Sequence, residues 1–492
     1  MSLIERLKHW AQETPDASAI TFESQTISFA ELQKRVHQTA AFLRNEHGVE
    51  TGDRVACLSI NDPKILYLVF ACAQLGAIFA PFNSRLARGE YEFLLGDAEP
   101  KVFFHDSNFS QIVSGIDHSN CVFVNLDVLH HQDDPDVSFE PSTVAESDPL
   151  LLVYTSGTTG RPKGVLLSHF AIAANIENNQ ALYDFAPGQN VLITLPLFHV
   201  GGLCILLLPA LTHGATIFLH ARFDPEATIA SLVNDDIITS IFVPAQMSAL
   251  MSHREWATSK FATMKYVVVG SSIIPLAQIK EWHARNIPVS QVYGATETGP
   301  TAIALSVDEA MAREGSAGKV AKLCAIEIRD RDGVQLPMGE DGEIWVKGPN
   351  ILSAYWRNPS ETDLVLRDGW YNTGDVGRCD EDGFYWIIDR TKDVIISGGE
   401  NIYPAEIESV GLEHPAIAAI AVVGKPDPVW GETPVAVIEL ESEQSLDQSE
   451  FLSFLKEKIA KFKQPKELVI LDALPRNGMG KIEKSAIRKM FR

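Results

Sequence analysis

Thr155, Ser156, Gly157, Thr158, Thr159 and Gly160 stand with Lys163 and Gly164 in the run LLVYTSGTTGRPKGVLLSH. Small residues let a backbone approach phosphate closely, hydroxyls and exposed amides donate to its oxygens, and a lysine brings the countercharge. The chemistry such a cluster supports is phosphate binding. Its spacing is not the Walker pattern, because Lys163 is followed by Gly164 instead of Ser or Thr. A Gly/Thr surface turn is the bland alternative, disfavoured by the size of the cluster and its place after an apolar strand.

Other residues could complete a nucleotide site. In QVYGATETG (291–299) an apolar strand meets a turn that presents Thr296 and Glu297. A hydroxyl beside a carboxylate suits phosphate and Mg2+, which favours a few carboxylates together with substrate phosphates. A capped helix start, with Thr296 or Thr298 as the cap, is the other reading. Asp375 ends NTGD (372–375); a carboxylate can accept both hydroxyls of a ribose, although Asp also closes turns. Lys481 lies in PRNGMGK (475–481), a glycine-flexed loop that could carry an ammonium to negative charge developing in a transition state. Lysines near a terminus are otherwise solvated. His199, in LPLFHVGGL (195–203), precedes a strongly apolar segment, where a lone histidine is more often a core residue than a catalyst.

The elements that must hold these residues read as α/β. From Ile20 to about Pro300, runs such as VACLSI (55–60), NVLITLP (190–196), TSIFVP (239–244) and KYVVVG (265–270) alternate with helical segments, as strands of parallel sheets do. Ser28 with Glu31 makes a capping-box pattern. After Gly315 the texture changes to short strands broken by turn dipeptides, and from Glu406 helices and strands alternate to the end. The expected architecture is a large N-terminal domain (1–389) of doubly wound α/β subdomains with a small β-barrel-like subdomain at about 315–389. A small mobile α+β domain (390–492) follows. The chain's 492 residues exceed what one core can serve, roughly 250–300 residues.

A net charge of −23 argues against a nucleic-acid partner and against adhesion to acidic lipid. The longest apolar stretches are shorter than the ~20 residues of a membrane span. The first residues, MSLIERLKHW, read as an amphipathic helix instead of a signal peptide. Six cysteines without metal-ligand spacing read as reduced and structural, so a cytoplasmic protein without integral membrane association is expected, as monomer or homodimer.

With these motifs in this order, joined by YNTGD (371–375) and DRTKDVIISGGENIYPAEIE (389–408), the whole chain closely resembles the adenylate-forming superfamily. That superfamily includes acyl-CoA and aryl-CoA synthetases, firefly luciferase and the adenylation domains of nonribosomal peptide synthetases. The resemblance implies ATP, Mg2+ and coenzyme A as reactants, and a small-molecule carboxylic acid as partner. It assigns Thr296 to phosphate, Glu297 to magnesium, Tyr293 to adenine, Asp375 and Arg390 to ribose, and Lys481 to adenylation. For Arg390, an ion pair with Asp389 or Asp393 is the alternative. Ser271 and Gly294 join the nucleotide set. His199, Val200, Gly202, Gln246, Met247, Gly270, Ser271 and Gly294 would line the acid pocket, with His199 orienting the carboxylate or gating the entrance. Lys392 matches the hinge, and Ser397, Gly398 and Gly399 the coenzyme A face, where the glycines could equally serve a tight turn. Met479 stands where Thr or Ser is common, and GSSIIP (270–275) where GGAP-like sequences are common.

The function expected is an AMP-forming acid–CoA ligase. Amino-acid-activating relatives carry an Asp near the Phe198–His199 position; its absence here leaves no partner for a substrate ammonium, so the acid should have an uncharged tail. A medium- or long-chain fatty acid is the first expectation. A hydroxycinnamate- or benzoate-type aryl acid is the alternative, as is a stand-alone adenylation enzyme that loads a carrier protein.

Overall fold

The computed structural model describes residues 1–116, 121–130, 138–139, 142–155, 162–271, 274–390, 393–397, 400–427, 430–456, 458–459, 461–477 and 480–491. The chain forms two units, Met1–Ile326 with Val346–Asn372, and Glu327–Trp345 with Thr373–Arg492. This grouping changes units at residue 372, upstream of the boundary read from the sequence at 389.

The first unit is built on two large sheets. One has the strand order 319–320, 303–304, 289–293, 267–269, 237–242, 190–193, 216–219, 18–22, 25–28, parallel through its centre and antiparallel at its edges. The other runs 354–355, 163–168, 149–155, 78–82, 54–58, 102–105, 122–125, again parallel except at one end. The expected α/β class is therefore present. Central strands such as Ile78–Phe82 and Ile237–Phe242 are buried on both faces, which is why they read as continuous apolar runs. Helix Pro63–Leu75 is apolar all round and correspondingly buried all round. Its single lysine, Lys64, is kept there by Asp62 at 2.9 Å and Asp127 at 3.1 Å. Helix Phe29–Asn45 begins as the sequence suggests, with the Ser28 hydroxyl accepting from the Glu31 amide at 3.2 Å.

Strands Gly342–Lys347, Trp370–Cys379 and Tyr385–Arg390 belong to an open sheet, not a closed barrel, among the described residues. A further sheet runs 400–402, 395–397, 431–440, 417–427, with Glu467–Ile470 added parallel to Gly431–Leu440. Helix Pro404–Gly411 and helix Gln448–Lys456 cover one face through Ile407, Phe451 and Leu455, and Ile487 of helix Lys484–Arg488 seals the other against Val423 and Val435. This is the small α+β body expected near the C-terminus.

Candidate active site

The acid candidates, with the nucleotide candidates Ser271, Gly294, Thr296 and Glu297, gather at the carboxyl ends of four neighbouring parallel strands. After Asn190–Ile193 come His199, Val200 and Gly202; after Ile237–Phe242, Gln246 and Met247; after Val267–Val269, Gly270 and Ser271; after Val289–Tyr293, Gly294, Thr296 and Glu297. The strands pair in that order, so the four loops emerge side by side. Loops there are where open α/β sheets carry ligands.

Each loop has its own local cause. At Gly294 a Cβ would lie 1.7 Å from the Pro300 carbonyl oxygen, so only glycine permits the chain to double back. Thr298 is fully buried and closes the turn: its hydroxyl accepts from the Ala295 amide at 2.8 Å and donates to the Ala295 carbonyl at 3.1 Å. Of the threonines offered as a cap, Thr298 takes that work. At Gly202 a Cβ would meet the Pro196 carbonyl oxygen at 2.3 Å, and at Gly270 the Val292 carbonyl oxygen at 2.9 Å. Ser271 holds φ +73°, a left-handed conformation uncommon outside glycine. Gln246 accepts the Val243 amide at 3.3 Å, and Met247 is buried in the core beside Leu192 and Phe242.

His199 precedes the π-helix Gly201–Leu207, a wide-turned form frequent at functional sites. Its Nε2 is buried and has no hydrogen-bond partner among the described residues. Burial, reinforced by the charge of Arg85, pulls its pKa down to about 4, so the ring is neutral near pH 7. Phe198 lies against it, centroids 4.4 Å apart.

Thr155 and Lys163 are direct cross-strand partners in the antiparallel pair that brackets the phosphate loop. Ser156, Gly157, Thr158, Thr159 and Gly160 lie outside the described residues. Lys163 pairs with Glu361, and its ammonium sits 5.5 Å from the Tyr355 ring centre. The Tyr355 hydroxyl donates to Glu297 Oε1 at 2.9 Å. Burial, then the Glu297 carboxylate, raises the Tyr355 pKa, so the phenol stays protonated and remains a donor. Tyr355 and Glu361 were not singled out from the sequence. They lie about 200 positions from Lys163 and reach it because Tyr355 pairs with Val165 across strands. The only local signal for Glu361 is its place in the first turn of an Asn358-capped helix.

No group of three or more His, Cys, Asp or Glu side chains among the described residues could hold a metal by itself. Glu297, bonded to Tyr355 whose ring lies near the Lys163 ammonium, offers a carboxylate of the kind Mg2+ takes together with phosphate oxygens.

The remaining candidates lie in the second unit. Asp375 and Arg390 are cross-strand partners, joined Nε to Oδ1 at 3.1 Å. This ion pair joins Arg390 to the other proposed ribose contact. Asp389 instead accepts from the Ala405 and Arg390 amides at 2.8 and 2.7 Å, and Asp393 pairs with Arg488. Lys481 is exposed on a turn in which its amide donates to Asn477 Oδ1 at 3.1 Å. Ser397 ends strand Ile395–Ser397. Lys392, Gly398, Gly399 and Met479 lie outside the described residues.

The family described as AMP-binding enzyme matches residues 7–356, and its C-terminal domain matches residues 406–481. The chain is 40% identical to the indoleacetate–CoA ligase of Aromatoleum aromaticum, over 100% of this chain and 98% of that protein. It is 37% identical to a feruloyl-CoA synthase of an Amycolatopsis species, over 98% and 97%. Among solved structures, the o-succinylbenzoate CoA synthetase of Bacillus subtilis with its acyl-adenylate intermediate superimposes at TM-score 0.90 and 33% identity, covering 98% of this chain and 97% of that one. The same synthetase with ATP and magnesium ion gives TM-score 0.89 at 33% identity, covering 99% and 98%.

Proposed function

Because the chain belongs to the AMP-binding enzyme family, we propose that it works as an AMP-forming acid–CoA ligase whose acid carries an aromatic ring. The observation that carries the aryl reading is that full-length relatives are named for indoleacetate, ferulate and o-succinylbenzoate. This replaces the fatty acid first expected from the sequence, and with it a role in fatty acid metabolism. The uncharged run Phe198, His199, Val200 suits such an acid, since it offers no carboxylate for a substrate ammonium.

In the first half-reaction the carboxylate attacks the α-phosphate of ATP, the α–β phosphoanhydride bond breaks, and pyrophosphate leaves. In the second, the coenzyme A thiol attacks the acyl carbon and AMP leaves. Thr155 to Gly160 and Lys163 hold the outer phosphates, Thr296 contacts phosphate, Tyr293 stacks on adenine, and Ser271 and Gly294 border the nucleotide. Asp375 and Arg390 hold the ribose, and Lys481 stabilises charge at the α-phosphate. Mg2+ beside Glu297 would neutralise part of the triphosphate charge. His199, Val200, Gly202, Gln246, Met247 and Gly270 border the acid. Residues 390–492 act as a lid that turns at Lys392 and brings Ser397, Gly398 and Gly399 to the pantetheine arm.

The test is a panel of indole-3-acetate, ferulate, o-succinylbenzoate, octanoate and palmitate, assayed for CoA-dependent AMP release. An aryl acid should exceed both fatty acids in kcat/KM by about 100-fold, a pocket-selectivity difference of ~3 kcal/mol. A fatty acid at the head of the panel would sink the aryl reading, and AMP release only with an added carrier protein would sink coenzyme A as acceptor.

A further inference from the structure

Helix His169–Tyr183 carries three fully buried asparagines, Asn175, Asn178 and Asn179. A buried amide is costly unless both its ends are satisfied, and Asn175 satisfies its ends on two different loops. Its Nδ2 donates to the Cys204 carbonyl at 2.7 Å, in the π-helix that contains Gly202 and follows His199 and Val200. Its Oδ1 accepts from the Thr301 amide at 3.2 Å, in the segment that follows Thr296 and Glu297. The amide orientation is self-consistent, because reversing it would set donor against donor and acceptor against acceptor.

The neighbouring groups stiffen each end. Asn179 donates to the Asn175 carbonyl at 2.8 Å and accepts from the Thr301 hydroxyl at 3.1 Å. Asn350 donates to the Thr301 carbonyl at 3.1 Å and also to the Thr298 carbonyl. Asn175 is the member of this cluster whose side chain bonds to both the acid-side helix and the nucleotide-side turn. Aspartate lacks the donor, leucine lacks both groups, and serine is too short to span them.

We propose that Asn175 is a positioning residue that couples the acid pocket to the nucleotide turn, so that occupancy of either pocket favours occupancy of the other. This rests on the reading of the two loops as acid and nucleotide sites. Coupling between sites is reciprocal by linkage, which makes it measurable from either side.

The experiment titrates α,β-methylene-ATP into the full chain by calorimetry, with and without a saturating acid, and then reverses the order. The acid is whichever member of the panel is active, so a wrong acid class sinks the earlier reading alone. In the wild type each ligand should tighten the other by roughly five- to tenfold. Asn175→Leu should bring that factor to about one. Thr301→Val is the control: it removes a hydrogen bond from the same buried cluster but keeps the backbone amide that Asn175 accepts from, so the coupling should survive. If Asn175→Leu does not fold, Asn175→Ser is read in the same way. Absence of coupling in the wild type, its persistence without Asn175, or its equal loss in Thr301→Val would overturn the proposal.

Discussion

Tyr355 stands between two charges of opposite sign, donating to Glu297 while its ring lies beneath the Lys163 ammonium. The hydrogen bond to the carboxylate is charge-assisted and worth roughly 1.5–3 kcal/mol. It occupies one carboxylate oxygen and so fixes the direction of the other. Tyr355→Phe removes this bond together with the hydroxyl's hydrogen bond to Tyr371 and keeps the ring. It should raise the Mg2+ concentration that half-saturates ATP–pyrophosphate exchange by about tenfold, the equivalent of ~1.4 kcal/mol, with the rate at saturating Mg2+ nearly kept. A fall in the saturated rate with an unchanged Mg2+ requirement would assign Tyr355 another role.

His199 gives a pH-dependent prediction whose sign follows from its burial. The folded chain holds its pKa at about 4 against an ordinary 6.5. Above pH 6.5 neither folded nor unfolded chain binds this proton, and the ring adds no pH dependence. As pH falls below 6.5 the unfolded chain takes the proton first, so stability is lost until about pH 4 and then levels off. A fall from 6.5 to about 4 corresponds to at most roughly 3 kcal/mol. Chemical denaturation of wild type and His199→Leu between pH 7 and pH 4 should show the steeper loss in the wild type. Parallel curves would mean the ring is not shielded from solvent.

At the scale of elements, glycine positions separate loops that are forced from loops that are tolerant. A Cβ at Gly294 would collide with the Pro300 backbone, whereas at Gly201 the nearest atom is Leu195 Cδ1 at 4.0 Å. Gly294→Ala should cost more than 2 kcal/mol and weaken nucleotide binding. Gly201→Ala should be neutral or stabilising by about 0.5–1 kcal/mol, because helical glycine is disfavoured relative to alanine. Denaturant midpoints of the two variants check both.

Strand pairing also marks what the sequence could disclose. The parallel strands were legible because burial on both faces leaves an apolar run, as in Ile237–Phe242. The roles proposed for Lys163 and Glu297 rest on chemistry that sits beside them in the chain. Tyr355, Glu361 and Asn175 were not legible: each owes its role to a partner more than 50 positions away, and nothing local distinguishes Tyr355 from any aromatic residue before a turn. The identity of the acid was hidden for a related reason. The pocket proposed for it would be bordered by loops from four strands, and its volume would be a property of their assembly.

At the scale of the whole molecule, one acyl carbon must meet two chemistries in turn, and the residues proposed for them divide accordingly. The acid loops and triphosphate loop belong to the first unit, whereas Lys481 and Gly398 both belong to the second. If the second unit serves adenylation with one face and thioester formation with another, damage to either face should spare the opposite half-reaction. Lys481→Ala removes a cation aimed at developing charge and should lower ATP–pyrophosphate exchange by about 10²–10³-fold, while coenzyme A attack on a supplied acyl-adenylate stays within about threefold. Gly398→Leu should do the reverse, because a side chain at that backbone would obstruct the pantetheine arm while leaving the triphosphate contacts alone. Measured on the same preparations, this crossing pattern cannot arise from general loss of folding, which would lower both rates together. If each variant lost both half-reactions equally, a single arrangement of the two units would have to perform both, and alternation about Lys392 would be the wrong account of how this ligase divides its work.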